Sequence, residues 1–345
     1  LRPRAGLRRG AAAAGVEAPG LLQLAEEPTH APPHHPQYAL VHGKIETLWQ
    51  RPAGEPRGLL FIAHGCGHQA PDVFDEVAPD GWRFDDCKKT KFGHCLGLPE
   101  ERHVRDAALA RGYVVVAVSG GTGKKSCWFG KDGPRVKAAI EHVRNVEKLP
   151  HDAPVLATGA SVGGLFVGGL AAPEGVPHLR CVVPQVSGID TYFGNWSRKV
   201  PTLFVHMPLD GMTEDTVIDS VMMFKDLGAR VADLEVKPRP VTAEFLAPCM
   251  EAPLAEDVVA ALRAHGALDK DGFLRDDPRD RHWVKPVRHV MKGRSNDSLV
   301  PDESCTSERL NVAWAFHEFS GQYAEEMLDF CEAKGAYAPK AKDAK

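Results

Sequence analysis

Between Gly58 and Val236, short apolar runs alternate with stretches of helical period. Gly58 to Ala63, Tyr113 to Val118, Val155 to Thr158, Cys181 to Val186, Thr202 to His206 and Arg230 to Val236 read as strands. Most are apolar throughout, which marks strands covered on both faces. Glu100 to Arg111, Pro134 to Leu149, Leu165 to Leu170 and Glu214 to Leu227 read as the helices between them. Strand–helix alternation of this kind implies a mostly parallel, doubly wound sheet with right-handed crossovers and helices on both faces. Tyr38 to Val41 and Lys44 to Trp49 add a hairpin around Gly43 at the front. In such sheets ligands bind at the carboxyl ends of the strands.

Gly159-Ala-Ser-Val-Gly163 lies at one such end. A strand, a tight turn through a serine and a following helix form the context of a G-x-S-x-G nucleophile elbow. The flanking glycines let the chain turn and let the helix approach the strand. Serine is a weak nucleophile at neutral pH, so Ser161 needs a base, and the base needs an orienting acid. The acid expected is Asp210, which follows the strand and turn Pro201-Thr-Leu-Phe-Val-His-Met-Pro-Leu-Asp210; Asp190 is its rival after the preceding strand. The base expected is His317, which lies just before the final amphipathic stretch, Tyr323 to Ala333. The strand Leu59 to Ala63 runs into His64-Gly-Cys-Gly67, whose Cys66 N–H could face the Val162 N–H across a reacting carbonyl. His64 would orient this loop, and His64, Gly65 and Trp128 are candidates to line the pocket. Ser119-Gly-Gly-Thr-Gly-Lys-Lys-Ser126 has a phosphate-loop look but fails the spacing of that motif.

With 345 residues, 43% hydrophobic and 26% charged, the chain can bury a large core. A net charge of −4 gives no footprint for nucleic acid, and no apolar run approaches a membrane span. The eight cysteines are scattered, which argues against a disulfide scaffold. Cys87 and Cys95 are a close pair, either a loop-pinning disulfide or two free thiols. A metal site from Cys66, His68, Cys87, His94 and Cys95 is a weaker alternative, because no CxxC spacing supports it. No cofactor or metal is expected.

Residues 1–36 read as a flexible extension, with the Arg- and Ala-rich start of an organellar transit remnant; a secretory signal is the alternative. Residues 37–335 read as one catalytic domain, with an insertion over 238–309 that contains a helix from Glu256 to His265 and could serve as a lid or as passive decoration. Residues 336–345 read as a flexible tail.

His64-Gly-Cys-Gly-His68, Cys95-Leu-Gly-Leu-Pro-Glu-Glu101, Gly159-Ala-Ser-Val-Gly-Gly164, Val205-His-Met-Pro-Leu-Asp210 and Leu310-Asn-Val-Ala-Trp-Ala-Phe-His-Glu318 together resemble the α/β-hydrolase superfamily, and more narrowly a branch of it in plants and green algae. The resemblance covers about residues 38 to 333. It implies the α/β-hydrolase fold and a Ser–Asp–His hydrolase and supplies no substrate; the residues themselves read as a hydrolase of an ester or related acyl bond in a small-molecule substrate, with a helical insertion before the last helix. The spacing of Cys87 from Cys95 is wider than this branch leads one to expect. A non-catalytic ligand binder on the same fold, or a small-peptide hydrolase, is the alternative reading. Their discriminator is whether the His317 ring can reach the Ser161 hydroxyl.

Overall fold

The computed structural model describes residues 34–121, 126–172, 175–189, 196–301 and 303–333. Strands β1 (Gln37–Val41), β2 (Ile45–Gln50), β3 (Gly58–Ala63), β4 (Tyr113–Val118), β5 (Val155–Ala160), β6 (Leu179–Gln185), β7 (Thr202–His206) and β8 (Val231–Glu235) form one sheet. Their order is β1-β2-β4-β3-β5-β6-β7-β8. β1 and β2 form the expected hairpin, and β2 runs antiparallel to β4. All pairings from β4 to β8 are parallel.

The uniformly apolar runs divide their side chains between two cores. Leu60, Ile62, Val115 and Ala117 pack on one face with helices α1 (Pro99–Ala110) and α9 (Ala324–Glu332). Leu59, Phe61, Val114 and Val116 pack on the other with α2 (Gly133–Val146) and α3 (Val162–Gly169). On β7, Phe204 meets Val217, Val221 and Phe224 of α4 (Glu214–Asp226). Period-2 alternation within a strand that is buried on both sides explains why no polar face was legible there.

The segment from 238 to 309 is more helical than the sequence led one to expect. It holds α5 (Ala243–Leu246), α6 (Ala252–Ala264), α7 (Val284–Met291) and the start of α8 (Cys305–Trp314). Val258, Leu262, Trp283, Val287 and Leu310 give it a core of its own. Four short helices around a small core leave little period for a sequence window to detect.

All eight cysteines are paired, as Cys66–Cys127, Cys87–Cys95, Cys181–Cys331 and Cys249–Cys305. The scattered spacing was therefore misleading. Three of the pairs join residues 56 to 150 positions apart, which only the fold brings together. The metal alternative at Cys66, Cys87 and Cys95 loses its thiolates to these bonds. No helix among the described residues is long and apolar enough to cross a membrane.

Candidate active site

The order of the sheet reverses at β3: the chain leaves β3 for β4 on one side, then crosses back to β5 on the other. A crevice opens beyond strand ends at such a switch point. The loop 64–68 follows β3 there, and Ser161 follows β5.

Ser161 has φ 55° and ψ −124°, an uncommon conformation for a residue with a side chain. Its N–H is held by the Gln185 carbonyl at 3.0 Å. The tight approach behind it depends on glycine. A Cβ on Gly163 would lie 2.4 Å from the His64 carbonyl oxygen and 2.5 Å from that of Ala63. Both are backbone atoms of the β3 end and cannot swing away. Gly163→Ala is expected to lower stability by about 3 kcal/mol or more, because overpacking here has no flexible side chain to absorb it. A melting curve of the variant indistinguishable from wild type would refute this.

His317 Nε2 lies 2.9 Å from Ser161 Oγ, and His317 Nδ1 lies 2.7 Å from Asp210 Oδ2. The contact with the carboxylate assigns the proton to Nδ1 and leaves Nε2 to accept from the Ser161 hydroxyl. Asp210 is fully buried. Burial pushes its carboxyl up, but hydrogen bonds from His317 and Thr213, with the Met212 N–H, more than offset this and hold it below the usual carboxylate range. His317 lies ahead of the closing helix α9. α8 ends at Trp314 with Ala315 in the left-handed region, and His317 sits at φ 44° in the segment before α9. Two residues that the sequence reading passed over secure that segment. Gln185 accepts from the Ser320 N–H at 2.9 Å, and Arg279 donates to the His317 carbonyl at 3.0 Å. Gln185 was legible as the lone polar residue closing an apolar strand; Arg279 gave no signal.

The N–H groups of Cys66 and Val162 have no acceptor among the described residues. Cys66 and Gly65 flank Ser161 in one recess, and Val162 flanks it in another. The loop 64–68 is stitched to the segment after β4. His64 Nε2 accepts from the Gly120 N–H at 2.8 Å, and the Trp128 indole donates to the His64 carbonyl at 2.8 Å. The Gly67 N–H bonds the Ser126 carbonyl at 3.0 Å, and Cys66 is bonded to Cys127.

Two expectations need correction here. His64 and Trp128 lie under the site and line neither recess. Trp128 is covered because it stacks on Phe166 and meets Phe61 edge-on. Burial lowers the His64 pKa to about 4, against its bond to the Gly65 carbonyl, so the ring is neutral and suited to pinning the loop. Gly65 does line a recess. The rival acid Asp190 lies outside the described residues, as does half of the phosphate-loop look-alike, 122–125.

The recesses meet at Ser161. One, of about 380 Å³, is lined by Val162, Leu165, Gly188, Ile189 and nearby hydroxyl side chains. The other, of about 350 Å³, is lined by Gly65, Cys66, His317 and Phe319, with His68, Glu101, Arg279 and Glu318. A larger hollow of about 770 Å³ lies by α6 and α7 and touches none of these groups.

His68 Nδ1 pairs with Asp72 at 3.2 Å. Burial opposes its charge, but Asp72, with Glu101 and Glu318 nearby, raises its pKa to about 10. A raised histidine stabilises the fold fully below its unfolded pKa, and that contribution is lost as pH rises toward the folded value. Thermal stability is therefore expected to fall from about pH 6.5 to about pH 10. His68→Gln should flatten this slope in melting curves. An equal slope in both proteins would rule out His68 as its source.

Strand order, helices on both faces and a sharp strand–helix turn beside a buried acid and a histidine define the α/β-hydrolase fold. No protein-family model matches the chain, and no curated protein matches it. Among solved structures the chain is similar to the acylaminoacyl peptidase of Pyrococcus horikoshii, at 15% identity and TM-score 0.39, over 59% of this chain and 36% of that one. It is similar to the Bacillus cereus carboxylesterase at 11% identity and TM-score 0.38, over 57% of this chain and 86% of that one. It is also similar to the acetyl xylan esterase of Aspergillus awamori, at 10% identity and TM-score 0.38, over 56% of this chain and 80% of that one. The chain thus spans about a third of the length of the peptidase. Likeness at this level bears on neither activity nor substrate.

Proposed function

We propose that this chain is a serine hydrolase that cleaves an ester or related acyl bond. The observation that carries the reading is the line from Asp210 through His317 to Ser161, with spacings of 2.7 and 2.9 Å. In this reading Ser161 gives its proton to His317 Nε2 and attacks the substrate carbonyl. The N–H groups of Cys66 and Val162 hold the oxyanion that forms. His317 then gives the proton to the departing oxygen, and water, activated by the same ring, releases the acyl group. Asp210 holds the ring and its tautomer. The hydrogen bond at Ser161 weighs against a binder, because a ligand-binding protein needs no base at that distance. A peptidase would use the same machinery, and esters are preferred here as the less demanding acyl donors.

Four disulfides favour an oxidising compartment over a plastid or mitochondrial matrix. The test is a panel of p-nitrophenyl esters of increasing acyl length, with fluorophosphonate labelling alongside. Turnover and a label that maps to Ser161 are expected. An intact chain that neither turns over nor labels would end the proposal.

A further inference from the structure

The two recesses at Ser161 differ in chemistry, and the proposed reaction assigns them. His317 Nε2 must protonate the departing oxygen, so the alcohol portion must lie on the side of the imidazole. His317 lines only the recess that also holds His68, Glu101, Arg279 and Glu318. Four ionisable side chains in a space of about 350 Å³ are not needed to attack a carbonyl. None of them touches Ser161 Oγ.

What this wall can bind follows from its donors and acceptors. His68 gives Nδ1 to Asp72, while its Nε2 has no partner among the described residues. That edge of the ring lies beside Gly65, where a Cβ would be 3.5 Å from His68 Cδ2. The Arg279 guanidinium is occupied on one side, since it donates to the His317 carbonyl and lies 3.6 Å from Glu318 Oε2. Glu318 itself accepts from Asn311 and from the Phe319 N–H. Glu101 is only 4% exposed, and its Oε2 accepts no hydrogen bond from any described N–H. Its neighbour is the carboxyl of Glu308. Burial pushes both carboxyls up, and Glu101 pushes Glu308 up further, while the hydrogen bond from Glu308 holds Glu101 back; Glu308 therefore keeps the proton and Glu101 keeps acceptor capacity.

The wall therefore offers a cationic donor, His68, beside a carboxyl acceptor, Glu101. An ammonium group would satisfy Glu101 but meet the charges of His68 and Arg279. A carboxylate or phosphate would meet Glu101 and Glu318. A hydroxyl both accepts and donates, so it suits the mixed wall without repulsion. An apolar alcohol would leave His68 and Glu101 unpaired on desolvation, which is costly.

We propose that the recess walled by His68, Glu101, Arg279 and Glu318 is a leaving-group subsite for a hydroxyl-rich alcohol, a small polyol or sugar. This rests on the serine-hydrolase reading above. The full chain is assayed on glycerol monoacetate, butyl acetate and acetylcholine, with p-nitrophenyl acetate as a reference that needs no such subsite. The wild type is expected to favour glycerol monoacetate over butyl acetate by about 10²-fold in kcat/KM, the size of the penalty for leaving a buried polar partner unsatisfied. Glu101→Gln and His68→Gln are each expected to reduce that preference about tenfold, mainly through KM. The wild-type comparison stands even if a variant fails to fold. Equal use of the glycerol and butyl esters, or faster use of acetylcholine, would overturn the polyol assignment. So would an unchanged preference in two well-folded variants. If p-nitrophenyl acetate is not turned over and no phosphonate label appears, the hydrolase reading falls first and this subsite with it.

Discussion

Ser161→Ala is expected to lower kcat for p-nitrophenyl acetate by about 10⁶-fold, and His317→Ala by nearly as much. The double variant should be scarcely worse than either single one. Such non-additivity follows from the proposed mechanism, in which the base has no task without the hydroxyl 2.9 Å away. The hydroxyl, without that base, is an ordinary alcohol. Residual activity over water should survive in all three variants, from substrate positioning and the N–H groups of Cys66 and Val162, which have no acceptor among the described residues. Folding is not expected to suffer greatly, since Ser161 Oγ and the His317 ring face the recess and are not packed in a core. Steady-state kinetics on the four proteins, with matched melting temperatures, decide it. Single losses that multiply in the double variant would show that the two side chains act independently.

Legibility followed the range of the interactions involved. The sheet was readable because strands buried on both faces must be apolar throughout, and β3 and β4 show this directly. The elbow was readable because its geometry depends on glycines two residues either side of Ser161. Asp210 was placed by its turn after β7, a local feature. His317 was found by chain order, ahead of the closing helix α9. The helix before it, α8, ends in a left-handed Ala315 instead of a glycine, so no sequence signal marks the stop. Of the disulfides only Cys87–Cys95, close in sequence, was legible as a possibility; the other three and Arg279 were not. Cys181 and Cys331 lie 150 residues apart, and Arg279 reaches the His317 carbonyl from a separate helical segment. His64 and Trp128 were drawn into the pocket by sequence nearness to Cys66 and Cys127. Side-chain direction sends Trp128 onto Phe166 instead.

Asp210→Asn is expected to cost about 10⁴ in kcat while leaving the fold intact, by analogy with triad aspartates. The hydrogen-bond pattern explains why an isosteric change should be so damaging. His317 Nδ1–H and the Thr213 hydroxyl both donate to Asp210 Oδ2, and the Met212 N–H donates to Oδ1. All three neighbours are donors, and a carboxylate accepts on both sides. An asparagine accepts on one side only. If its NH₂ faces His317, Nδ1 must become the acceptor and the proton moves to Nε2, which can then no longer take the Ser161 proton. If its NH₂ turns the other way, it meets the Met212 N–H, donor against donor, in a fully buried site. The first arrangement relieves the clash, so the wrong tautomer should dominate. Turnover should recover at high pH if hydroxide replaces the base, whereas a merely unfolded variant would not recover. Asp190→Asn, by contrast, should keep most activity. A variant at Asp210 with near-normal kcat, and a variant at Asp190 without it, both at wild-type melting temperature, would transfer the orienting role to Asp190.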